Sequence, residues 1–91
     1  MSENLLGANL EELRALSRDM EHSAQMLRTA RAGLISTING GLQWHGPDAF
    51  FFTHAWNSSH APTLLQAAEM LSGTSLALNR QAAEQENTSS S

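Results

Sequence analysis

The sequence predicts an all-α fold: an antiparallel two-helix hairpin that pairs with a second hairpin into a four-helix bundle dimer. Three observations predict it. Apolar residues recur at steps of three, four or their sums through both halves of the chain, the period of an amphipathic helix. Helix-breaking residues gather between the halves, at Asn39-Gly40-Gly41 and Gly46-Pro47. Finally, 91 residues without a cysteine form at most one small core and have neither a disulfide nor a thiolate-bound metal to staple it. Association with another chain is the remaining source of stability.

The first helix is expected over about residues 9–40. Asn9 followed by Glu12 has the form of a capping box, in which side chains satisfy the free backbone N–H groups of the first turn. The stripe of this helix runs through Leu6, Leu10, Leu13, Met20, Ala24, Leu27, Leu34 and Ile38, interrupted at two heptad positions by Ser17 and Arg31. Glu11 and Glu12 near its start and Arg28 and Arg31 towards its end complement the helix dipole. Residues 1–8 are expected to fray. Gly40 and Gly41 are expected to supply a left-handed C-cap, with a turn over 41–46.

The second helix is expected over about 47–85. Pro47 suits the first helical position, where its missing N–H would be unpaired anyway, and Asp48 meets the positive end of the dipole. Its stripe is Ala49, Phe52, Trp56, His60, Leu64, Ala67, Leu71, Ser75 and Leu78, with a bend near Pro62. Residues 87–91 are poor in apolar side chains and are expected to be disordered. Two helices rising equally from a shared turn would set Leu10 opposite Leu78 and Met20 opposite Ala68, leaving the second helix to overhang beyond about Asn79.

Such a hairpin buries one seam and leaves its flanks wet, so Leu16, Ile35, Leu65 and Phe51 call for a partner surface. Phe50, Phe51 and Phe52 lie 100° apart on a helix and cannot all face one seam, which adds them, with Trp56, to the expected partner-binding residues. The formal net charge of −4 with only five basic residues argues against nucleic acid. The longest apolar run, Ala49 to Phe52, is far too short to cross a bilayer, and membrane contact is not expected. The N-terminus shows no basic region followed by an apolar stretch, so no cleaved signal peptide is expected. His54 and His60 do not share a helix face, and Glu21-His22 lacks the second histidine of a zinc-protease helix. No nucleophile is set beside a base. No metal, no cofactor and no enzymatic activity are expected.

The turn region, Trp44-His45-Gly46-Pro47-Asp48-Ala49 with Phe52 and Trp56 following, resembles the WXG family, the small early-secreted-antigen-like substrates of type VII secretion systems. Pro62-Thr63-Leu64, Ala67-Ala68 and Leu71 are similar to the second helix of actinobacterial members. The resemblance covers roughly Asn9 to Gln85. It implies a protein that dimerises in the cytoplasm, with itself or with a related small helical protein, and is then secreted by the type VII machinery without signal cleavage. In the family, the turn motif, here Trp44 and Gly46, forms a composite export signal with a Tyr-x-x-x-Asp/Glu motif near the end of the other subunit's second helix. This chain contains no tyrosine, which implies that a partner supplies that half or that the Arg80–Glu86 segment serves with different chemistry. The competing expectation is a cytoplasmic adaptor or chaperone-like subunit that pairs with the helical domain of a larger secreted toxin.

Overall fold

The computed structural model describes residues 9–90; the expected fraying of residues 1–8 lies outside them. The chain is a helical hairpin 66 Å long and 17–18 Å across. The first rod is α1 (Leu10–Ser36), extended by a π-helical turn, Thr37–Gly41. The second is α2 (Pro47–Ala55), a π-helical turn over Trp56–His60, and α3 (Ala61–Ser90).

Asn9 caps α1 as expected: from an extended backbone (φ −61°, ψ 132°) its Oδ1 accepts from the N–H of Glu11 at 2.8 Å and of Glu12 at 3.2 Å. The other end differs from expectation. Gly40 and Gly41 do not form a left-handed cap but continue the rod as the widened π turn, and positive φ is found instead at Gly46 (φ 108°). The reversal comes later because the chain first leaves the helix through the stretch Leu42–His45, extended at Leu42 (φ −94°, ψ 139°). It turns back only at Gly46, whose ψ of 179° completes a conformation that essentially only glycine adopts.

The second rod is continuous through Pro62. Pro47 to Ser90 at about 1.5 Å per residue rises about 65 Å, the full length of the molecule. The π turn just before the proline absorbs its missing N–H and the crowding of its ring: Ala61 N–H reaches back to the carbonyl of Trp56, five residues earlier, and the Thr63 hydroxyl donates to the Ser59 carbonyl at 2.8 Å. The helix also runs past its expected end at 85, so the tail expected to be disordered from 87 is helical as far as Ser90. Ala82 is buried against the first rod, and Arg14 Nη2 meets Glu86 Oε1 at 2.7 Å, which ties down these last turns.

The two rods meet along small residues at seven-residue spacing. Ser17 and Ala24 on α1 and Ala61, Ala68, Ser75 and Ala82 on α3 are all buried. Ser17 Oγ donates to the Ser75 carbonyl at 2.9 Å, and Ser75 Oγ donates to the Ser17 carbonyl at 2.8 Å, so these two residues stand level. Arg31 Nε donates to the Ala61 carbonyl at 2.6 Å two heptads on. This register sets Ala24 level with Ala68 and Leu10 level with Ala82. It is one helical turn beyond the expected pairing of Leu10 with Leu78 and Met20 with Ala68, because Leu42–His45 climbs along the second rod before the chain reverses. The π turn also inserts one residue, so Ala61 enters the seam and His60, expected on the core stripe, is exposed.

Candidate protein interface

A seam of serine and alanine has a direct consequence for the larger side chains, which are left beside it rather than in it. Counting from the seam residues, the positions three further on are Leu13, Met20, Leu27 and Leu34 on the first rod and Leu64, Leu71 and Leu78 on the second. The positions four further on are Arg14, Glu21, Arg28 and Ile35, and Leu65, Ser72, Asn79 and Glu86. In an antiparallel pair, equivalent positions of the two helices fall on the same side of the plane that contains them. The hydrogen bonds agree: Arg14 reaches Glu86, and Arg28 Nη1 donates to Ser72 Oγ at 3.1 Å.

The hairpin is therefore two-faced. One face is polar and tied across the seam by Arg14–Glu86 and by the group around Ser72. The Glu21 carboxylate is held below its ordinary range first by donation from Gln25, whose Nε2 lies 2.7 Å away, then by Ser72, and least by the charge of Arg28. The other face is a ladder of leucines with no charged residue between Leu13 and Leu34 or between Leu64 and Leu78 at the positions that point out of it. Its residues are only half buried, and Leu16 and Leu34 remain 44% and 45% exposed. Met26 (59%) and Met70 (60%) extend it at the edges.

Of the expected partner-binding residues, Leu16 lies on the leucine face, whereas Ile35 and Leu65 are half-buried on the polar one. Trp56 is buried within the hairpin itself at 7% exposure, and its Nε1–H has no acceptor there. Its burial follows its place on the expected stripe of the second helix. Trp44 instead sits outside the helix ends, half exposed, with its ring centroid 5.6 Å from that of Phe52. The reason is again the connecting stretch, which carries Trp44 past the end of the first rod. Phe50 and Phe51 are exposed by about two thirds and pack edge to face at 5.6 Å, with His54 stacked on Phe50. Trp44, Phe50, Phe51, Phe52 and Leu42 thus form an aromatic tip at the turn end of the rod. A reciprocal amide pair closes the neck beneath it. Asn39 Nδ2 donates to Asn57 Oδ1 at 3.1 Å and Asn57 Nδ2 to Asn39 Oδ1 at 2.9 Å, joining the two π turns.

Exposure within the Phe50–Phe52 run and the existence of an apolar flank are legible in the sequence, but the exposed Trp44 and the leucine face as a unit are not. The signal was present, as Leu13-Met20-Leu27-Leu34 and Leu64-Leu71-Leu78 at strict intervals of seven. In the periodicity it shares one stripe with Ala24, Ala67 and Ser75, and spacing alone does not say which members of a stripe touch the other helix. Among the described residues no group of three His, Asp or Glu side chains converges as a metal site requires, and no helix is long and apolar enough to cross a membrane. A hollow along His22, Gln25, Met26, Thr29 and Ala30 is an open dish on the outside of α1. Comparison of the chain with protein families, with curated proteins and with solved structures gives no match.

Proposed function

We propose that this chain is a non-enzymatic, secreted WXG-type protein, a substrate and partner subunit of a type VII secretion system, which acts by dimerisation and protein binding. The observation that carries the proposal is a helical hairpin with an uncharged leucine face left open along its length and the Trp44-His45-Gly46 turn displayed at one end. From Leu13 to Leu34 the face is about 31 Å long and the hairpin is 17 Å wide. Two such faces in contact would cover roughly 1,000 Å², the size at which specific protein interfaces begin. A second hairpin laid on this face completes a four-helix bundle with the leucines at its centre. The exposed Trp44 at the rod end suits a residue read by export machinery rather than one that only closes the hairpin.

The test is detection of the intact chain in the culture medium of its native cells, with and without a functional secretion system. Retention of the chain in the cytoplasm in both cases would overturn export. The second reading, a cytoplasmic adaptor for the helical domain of a larger toxin, rests on the same leucine face. It predicts co-purification with a longer chain from the cytoplasm and no small protein in the medium.

A further inference from the structure

We infer that the leucine face is built for a different chain, a helical pair whose edges carry Lys or Arg, and that it discriminates against a second copy of itself. The inference rests on the proposed bundle pairing but not on export. The edges that flank this face, one position before the members of the ladder and one heptad beyond it at Gln85, carry Glu12 and Asp19 on α1 and Glu84 on α3, all exposed. None of the chain's basic residues is placed to meet them on a second copy. Arg14 is engaged with Glu86 and Arg28 with Ser72 on the opposite face, Arg31 is bonded to Ala61 in the seam, and Arg18 lies on the polar face. Arg80 sits on the outer side of α3.

Self-pairing therefore brings a formal charge of −4 against −4 and sets acidic edges beside acidic or neutral ones. A partner with basic edges gains attraction at every acidic position. Since the leucine contacts themselves are indifferent to the partner's identity, charge at the rim decides which helical pair is accepted.

The probes are two variants of this chain, each mixed in equal amount with the wild type and measured by native mass spectrometry and sedimentation at low salt. One is Glu12→Lys/Asp19→Lys/Glu84→Lys, which matches the wild-type edges if the two hairpins run parallel. The other is Met26→Lys/Gly33→Lys, which sets Lys opposite Asp19 and Glu12 if they run antiparallel about the middle of the ladder. Its sites are exposed, and nothing lies within 4 Å of a side chain added at Gly33. Circular dichroism checks that each variant folds. The expected result is a mixed one-to-one pair with one of the two variants, about tenfold tighter than the wild-type pair, an advantage that disappears in high salt. A mixed pair that survives Leu27→Asp in the wild-type chain would remove the leucine face from the explanation. A wild-type dimer as tight as either mixed pair would overturn selection by the rim while leaving bundle formation intact. Monomers in every mixture would overturn both.

Discussion

Replacing Ala68 by leucine adds apolar surface at a buried position, and the structure predicts that it destabilises the hairpin. Ala68 is 1% exposed and level with Ala24, which is 0% exposed, so the three added carbons have nowhere to go unless the rods move apart. If they were accommodated in an existing space, burial at about 0.8 kcal/mol per methylene would favour the variant by roughly 2 kcal/mol. In a seam already closed by small residues the overpacking cost of about 1–3 kcal/mol dominates. Forcing the rods apart also stretches the paired hydrogen bonds of Ser17 and Ser75 one heptad away, each worth about 1 kcal/mol. A net loss of about 2 kcal/mol is expected, which for a chain of this size lowers the melting temperature by roughly 10 °C. Urea and thermal melts followed by circular dichroism measure it, at a concentration where sedimentation shows no change in association, since pairing would add its own stability. Leu71→Ala, on the half-buried ladder, serves as the comparison and should cost the isolated hairpin less. A more stable Ala68→Leu protein would refute the close-packed seam and favour a leucine core.

Three further outcomes are expected. Gly46→Ala should cost about 1–3 kcal/mol purely through its backbone conformation, since no atom lies within 4 Å of the added methyl, whereas Gly40→Ala, inside a helical turn with equal room, should gain about 0.4–1 kcal/mol; chemical denaturation separates the two signs. Trp56→Ala should lose about 3–5 kcal/mol and leave little folded hairpin, while Trp44→Ala, at a half-exposed ring, should keep most of the stability and change export instead. The carboxyl of Glu21 titrates lower in the folded chain than its ordinary 4.5, so its contribution is fully present above about pH 5 and drains away as the pH falls below that value; the stability difference between wild type and Glu21→Gln should accordingly shrink between pH 6 and pH 3, and a difference that stays constant would contradict the hydrogen bonds from Gln25 and Ser72.

The sequence by itself determined the all-helical hairpin, the Asn9 cap and the start at Pro47, because each is set by local chemistry: apolar residues at helical spacing, a side-chain oxygen at a helix start, a ring that fixes φ. It also showed that the phenylalanines cannot all lie in the seam, since three consecutive residues cannot share a helix face, but it set Phe52 on the core stripe, where the structure leaves it 42% exposed. What only the tertiary structure decided was which of the periodic residues touch. Leu27 and Ala24 read alike as members of one stripe, and the choice of Ala24 for the seam depends on how closely two helices approach, a distance no single helix encodes. The register followed from the path of Leu42–His45, and the one-residue shift at Trp56–His60 from a π turn that a hydropathy pattern passes over. Those two decisions carried Trp44 past the helix ends and His60 out of the seam, and they turned a stripe of leucines from the expected core into an open face.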